Sequence, residues 1–406
     1  MYLWNAYIIH LREENNKIYL KIMKLIERYK VQELRSKNNM LLNKIEKKIG
    51  LYIHIPFCLK KCNYCDFLSF SNISNQKIQE YVKYLCEEIK IYSEYSYDTI
   101  YFGGGTPSLL NPKLIEKILL EIKNWKIAKE ITIEINPGTI GIKELEALKE
   151  IGINRLSIGI QSFDPTTLEV LGRIHTREKS LELYHSAREV GFKNISLDLM
   201  FATPGQTKEE LENDLKELFK LNPEHFSIYS LSWEKGTPFY KKLLTGELSE
   251  TDEELESEMF EMIILKAKEN GYTQYEVSNF SKKGYESEHN KKYWKNNEYV
   301  GVGVGASGYL NSVRYKNSEI IEEYYKKLDL LELPMFEEEI QNEKTIKEYY
   351  YMMGLRLLEE GVIPYVEDEE KFEKMREKGF LNKKNENYTL TKKGLFLAND
   401  VIIELL

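Results

Sequence analysis

From Leu51 onward the chain alternates short runs of β-branched and aromatic residues with longer segments of helical period, the pattern of repeated strand–helix units around a parallel sheet. Six strands are expected, over 51–55, 99–102, 131–135, 155–160, 194–200 and 226–231. The segments between them carry helix punctuation. Asn111-Pro112 and Asp164-Pro165 each offer an N-cap followed by proline at the first helical position, Thr207 and Glu210 make a capping box, and Gly152 and Gly191 fit helix stops.

Alternation within the strands tells which way their side chains point. Ile131, Ile133 and Ile135 oppose Thr132, Glu134 and Asn136; Leu156, Ile158 and Ile160 oppose Ser157, Gly159 and Gln161; Ile195, Leu197 and Leu199 oppose Ser196 and Asp198. An apolar face for packing helices and a polar face for an interior is what a barrel, or part of one, requires. The polar residues come late in each strand, so Glu134, Gln161 and Asp198 are expected to converge at the C-terminal face, where parallel βα barrels carry their sites. Burying a carboxylate without a partner costs several kcal/mol, which favours a binding site over polar residues satisfied by the backbone.

Past residue 231 the pattern loosens into a helix over 252–270, the segment 275–294 and the glycine-rich "YVGVGVGASGY". Beyond Glu343 the sequence reads as helices, a β-hairpin and a terminal helix, resembling a small winged-helix unit. The expected fold is α/β: an N-terminal extension over 1–48, a partial (β/α)6 barrel over 49–240, and a smaller C-terminal α+β domain over 241–406, with the boundary between 236 and 250.

At 406 residues, 42% of them apolar, the chain can bury a large core. Its formal net charge is −8, which offers no long-range attraction to nucleic acid. The first fifty residues differ, with eleven Lys/Arg against five Asp/Glu. They read as a dispensable extension in which 17–29 form a short helix and Met40 is a candidate start. No apolar run approaches the roughly 20 residues that span a bilayer, and no secretory signal opens the chain, so a cytoplasmic location with at most peripheral membrane contact is expected.

Three of the four cysteines stand in "IPFCLKKCNYCDF" as C-x3-C-x2-C, a poor disulfide framework but a good set of metal ligands. Three thiolates on a four-iron cluster leave one iron open to chelate a small molecule. Aromatic Phe57, Tyr64 and Phe67 are expected to shield such a cluster, with Lys60 and Lys61 offsetting its charge. The alternative is one zinc ion on the three thiolates and His54. Directly after the second strand, "YFGGGTPS" exposes backbone to a ligand that side chains would keep away. Cys86, on an expected helix, reads as a buried apolar residue.

Through "YIHIPFCLKKCNYCDF", "YFGGGTPSLL", "TIEINPGT", "INRLSIGIQSFD", "LGRIH" and "NPEHFSIYSL" the chain resembles the oxygen-independent coproporphyrinogen III oxidase-like radical SAM family, from Leu51 nearly to the C-terminus. The resemblance implies a [4Fe-4S] cluster on Cys58, Cys62 and Cys65. It also implies S-adenosyl-L-methionine bound by Tyr52, Tyr64, Gly104, Gly105, Thr106, Glu134, Gln161, Arg173 and Asp198. The family's coproporphyrinogen dehydrogenases carry a further cysteine where this chain has Phe67, and the branch with phenylalanine resembles the heme chaperones. "HNKKYW" is similar to that branch's heme-associated motif, which makes His289, Tyr293 and Trp294 heme-binding candidates. The implied partners are heme, heme-accepting apoproteins such as respiratory cytochromes, and an electron donor for the cluster. The competing activity is oxidative decarboxylation of coproporphyrinogen III to protoporphyrinogen IX, and no catalytic residue is assigned. Two departures stand out: Ala202-Thr203 where the family usually has Gly-Leu, and Ser307 where many members have histidine.

Overall fold

The computed structural model describes residues 49–406, so the expectations for the extension over 1–48, its helix over 17–29 and a start at Met40 lie outside the described residues. All six strands form: β1 (Ile49–Ile55), β2 (Tyr97–Gly104), β3 (Glu130–Ile135), β4 (Arg155–Gln161), β5 (Ile195–Phe201) and β6 (His225–Ser230). They pair in parallel in sequence order. Right-handed crossovers of this kind carry helices on the outer face. Those helices include α1 (Asn75–Ile91), α2 (Pro112–Glu121), α3 (Ile142–Glu150), α4 (Pro165–Leu171), α5 (Arg177–Val190) and α6 (Lys208–Leu221). Their starts follow the chemistry of the sequence: Asn111 and Asp164 accept from the backbone N–H of Lys113 and Thr167, and Thr207 and Glu210 cap each other reciprocally.

The apolar strand faces pack outward. Ile131, Ile133, Leu156, Ile158, Leu197 and Leu199 are all at most 1–2% exposed and share one core with Leu145, Leu183, Leu211 and Leu215 of the helices. The polar faces are left to the interior.

The chain continues through α7 (Pro238–Thr245), α8 (Glu253–Glu269), β7 (Thr273–Glu276), β8 (Asn279–Ser281), α9 (Glu288–Trp294), β9 (Tyr299–Val302), β10 (Ser307–Leu310), β11 (Val313–Asn317), α10 (Ile321–Asp329) and β12 (Met335–Ile340). The sheet does not stop at β6. Its order is β12-β11-β10-β9-β1-β2-β3-β4-β5-β6-β8-β7, with β9 parallel to β1 and the outer strands antiparallel. Residue 240 therefore marks where the βα repeat ends rather than where the sheet ends. Glycine makes the seventh parallel strand possible: a Cβ on Gly301 would lie 1.8 Å from the Ser307 carbonyl oxygen, closer than any side chain tolerates.

A buried carboxylate fastens this edge. Glu88 on α1 accepts from the Gly303 N–H (2.7 Å), the Tyr324 hydroxyl (2.6 Å) and the Asn317 amide (2.7 Å), and burial pushes it up to about 7. A last unit has its own core of Tyr351, Leu355, Phe372, Tyr388 and Ile402. It consists of α11 (Glu343–Gly354), α12 (Glu369–Glu377), the hairpin of β13 (Leu381–Lys384) and β14 (Asn387–Leu390), α13 (Lys392–Phe396) and α14 (Ala398–Leu405). Among the described residues no helix is long and apolar enough to cross a membrane.

The departure at Ala202 carries a backbone cost. Directly after β5 this residue is held at φ +54°, the left-handed region that glycine enters freely and alanine does not. Ala202→Gly is expected to stabilise the protein by about 0.5–1 kcal/mol, less than the full strain because glycine loses more freedom on folding. Chemical denaturation checks this, and an unchanged or lower midpoint would refute the strain.

Candidate functional site

The C-terminal ends of β1 to β6 open on a cavity of about 410 Å³. Three features of the sequence meet there: the cysteine loop after β1, the glycine turn after β2, and the late polar residues of β3, β4 and β5. Such a location follows from the alternation of the strands and their common direction.

The cysteine loop is pinned from outside. The Asn63 N–H donates to the Leu171 carbonyl (3.1 Å), its amide donates to the Val170 carbonyl (2.9 Å), and its own carbonyl accepts from the Phe239 N–H (3.0 Å). This ties the loop to the end of α4 and the start of α7. Cys58, Cys62 and Cys65 are each half-buried with free thiols lining the cavity. Thr106 donates its hydroxyl toward the Cys58 Sγ (3.6 Å), and Arg173 donates to the Cys62 Sγ (3.4 Å). Burial pushes the Cys65 thiol up to about 11. Cys86 lies apart, on α1 in the main core.

The glycine turn brings backbone against this loop. The Gly105 N–H donates to the Ile55 carbonyl (2.9 Å), and a Cβ there would lie 2.7 Å from the Phe57 carbonyl oxygen and 3.0 Å from the Cys58 Sγ. The neighbouring Gly104 N–H donates to Glu134 (3.1 Å), which also accepts from the Tyr101 hydroxyl (2.9 Å). Burial, reinforced by the nearby Asp198 charge, raises Glu134 to about 7 against the opposing pull of those donors. Asp198 accepts from the hydroxyls of Ser157 (2.8 Å) and Ser196 (3.0 Å) and is likewise raised by burial.

Two cavity groups have unused bonding capacity. Gln161 follows a bulge in β4, takes a left-handed φ of +64°, and leaves its Oε1 buried without a partner. Strain of this kind persists where surrounding structure enforces it, often at binding sites. Arg173 donates to Asn136 (2.6 Å) and to the Gly159 carbonyl (2.8 Å), while its Nε–H has no partner.

The structure thus gathers Cys58, Cys62, Cys65, Tyr64, Gly104, Gly105, Thr106, Glu134, Gln161, Arg173 and Asp198 around one cavity. Tyr52 stands behind the wall, its hydroxyl donating to the His54 Nδ1 (3.0 Å). His54 is occupied at both nitrogens, since Nε2–H donates to the Leu68 carbonyl (3.0 Å). Zinc on the three thiolates and His54 would have to displace one of these two partners. The shielding aromatics also differ from expectation: Phe57 is buried against Tyr81 away from the cavity, and Phe67 is 63% exposed at its mouth.

The heme candidates are not gathered with the others. α9 closes the floor of the barrel, where Asn290 reaches the cavity. His289 is fully buried, with Nδ1 bonded to the Thr99 hydroxyl (2.9 Å) and Nε2 to the Tyr293 hydroxyl (2.8 Å). Trp294 is half-buried beside Arg356. Ser307 is exposed on β10, away from the cavity.

Two residues were missed from sequence. Asn136 joins the glycine turn to Arg173, donating to the Thr106 hydroxyl oxygen (2.8 Å), and its place on the polar face beside Glu134 was the available signal. Arg155, 1% exposed, puts a guanidinium in the barrel interior between Glu130 and Asp198. At the start of a strand it carried no signal.

A four-iron cluster fits the loop by the chemistry of its donors: three thiols of one short loop line one cavity. The adjoining cradle fits a polar cofactor, since only glycine fits at 105 and Gln161 and Arg173 hold orphaned polar atoms there.

Residues 52–218 match the model of the Radical SAM superfamily. The chain is 37% identical over 377 residues to the heme chaperone HemW of Bacillus subtilis, covering 86% of this chain and 97% of that protein. It is 35% identical to the heme chaperone HemW of Lactococcus lactis, covering 89% and 98%. Among solved structures, coproporphyrinogen III oxidase (HemN) from Escherichia coli superposes with a TM-score of 0.77 at 22% identity, covering 89% of this chain and 90% of that one. At that identity the likeness speaks for the fold: an α/β radical SAM barrel.

Proposed function

The chain belongs to the HemW family of heme chaperones within the radical SAM superfamily, and on that premise we propose that it binds heme and delivers it to apoproteins such as respiratory cytochromes. Cys58, Cys62 and Cys65 would hold a [4Fe-4S] cluster, and the adjoining cradle would hold S-adenosyl-L-methionine. The chemistry such a cluster supplies when bound is one-electron reduction of the cofactor's sulfonium, with the electron coming from a separate donor.

The protein's own groups suit this assignment. Thr106 and Arg173 donate toward two of the cysteine sulfurs, which stabilises negative charge there. The orphaned Arg173 Nε–H and Gln161 Oε1 are a donor and an acceptor waiting in the wall, and Glu134 and Asp198 add buried acceptors.

Phe67 carries the chaperone reading over decarboxylation. It stands, exposed at the mouth, where the dehydrogenases of the resembling family carry a further cysteine. The purified, reconstituted protein is expected to bind heme stoichiometrically and pass it to an acceptor apoprotein. Under strictly anaerobic reducing conditions it is expected to yield no protoporphyrinogen from coproporphyrinogen III. Robust turnover of that substrate would overturn the reading.

A further inference from the structure

The mouth of the cavity is unlike its polar interior. Leu59, Phe67 and Ile174 line it and are 53%, 63% and 56% exposed. They come from two different segments, the cysteine loop and the stretch after α4, yet they rim one opening. Large apolar side chains around a concavity mark a surface that something covers. Lys60 and Lys61 line the same rim, exposed, and among the described residues neither is held in an ion pair. Asp66 and Glu234 are the exposed acids there.

We propose that this mouth is the docking site for heme, with the macrocycle lying on Leu59, Phe67 and Ile174 and its carboxylates meeting Lys60 and Lys61. The proposal rests on the chaperone reading and adds the place and mode of binding. A flat apolar ring bearing two carboxylates matches an apolar rim with two adjacent unpaired ammonium groups, in a chain whose net charge of −8 otherwise disfavours an anion. The iron plays no part in the recognition. Among the described residues the one histidine lining the cavity, His175, is buried, and its Nε2–H donates to the Ile160 carbonyl (3.1 Å). His289 is shut in the barrel floor with both nitrogens bonded.

The test uses the full chain with its cluster reconstituted, titrated with heme. Metal-free protoporphyrin IX is expected to compete with heme about equally, and its dimethyl ester at least about tenfold less well, since each charged contact is lost. Phe67→Ser, Ile174→Asp, and Lys60→Glu with Lys61→Glu are each expected to weaken heme binding about tenfold or more. Ile174 lies outside the cysteine loop, so its variant separates heme loss from cluster loss if the loop variants fail to assemble a cluster.

Wild-type binding that Ile174→Asp and the ester leave unchanged would overturn the mouth assignment while the chaperone reading stands. Full heme affinity in the variants with slowed cluster reduction by a protein donor would also overturn it, and give the rim to a redox partner. Failure of the wild type to bind heme at all would remove the chaperone reading and this inference together.

Discussion

Alanine at Cys58, Cys62 or Cys65 abolishes the visible iron–sulfur absorption of the anaerobically reconstituted protein, and Cys86→Ala leaves it intact; this all-or-none contrast is the largest effect expected of any substitution. The three thiols share one pinned loop and one cavity, and each is half-buried, open to iron and sulfide during assembly. Cys86 is 2% exposed on α1, and burial pushes its thiol up to about 11, so it stays protonated and shut away from metal. Its loss removes one buried sulfur from the core, which costs about 1 kcal/mol in stability and nothing in metal content. Iron and acid-labile sulfide analysis alongside the absorption spectrum reads the outcome. Equal loss in the Cys86 variant would refute the assignment. An unperturbed spectrum of the reduced cluster on adding saturating S-adenosyl-L-methionine would count against an open iron.

The same loop shows what a sequence can and cannot tell. Strand order and interior polarity were legible because a parallel βα repeat obeys two local periods, and Glu134, Gln161 and Asp198 then had to meet at the C-terminal face. The seventh parallel strand was not legible: Tyr299–Val302 is interrupted by glycines that weaken the strand pattern, and the reason for Gly301 is a carbonyl on another strand. Nor was the direction of Phe67. An aromatic two residues past a cysteine reads equally as cover for a cluster or as an exposed rim, and only the path of the loop decides. Arg155 escaped because a charged residue opening a strand is ordinarily solvated, whereas here it is buried near Glu130, Asp198 and His289, the last more than a hundred residues away in sequence.

Replacing His289 with alanine is expected to cost the protein about 3 kcal/mol of stability and none of its heme stoichiometry. The imidazole fills the barrel floor, stacked on Tyr101 at 5.2 Å, with the hydroxyls of Thr99 and Tyr293 on its two nitrogens. Alanine leaves a cavity and two buried hydroxyls without a partner, each effect worth roughly 1–3 kcal/mol. In a chain of this size that lowers the melting temperature by roughly 3–5 °C. A pH signature separates this from a lost ligand. Burial, with the nearby Lys292 and Arg155 charges, holds the His289 imidazole down at about 3, so it is neutral in the folded protein while the unfolded chain takes up a proton below its ordinary 6.5. Between those values the unfolded state binds the extra proton, so His289 weakens folding progressively as pH falls, by about 1.4 kcal/mol per pH unit. The alanine variant lacks that proton, so its disadvantage against the wild type narrows from pH 6.5 toward pH 4. Denaturation midpoints at a series of pH values, with heme titration of each protein near neutrality, provide both readouts. A variant as stable as the wild type but unable to bind heme would return His289 to the heme site and mean that α9 opens to admit it.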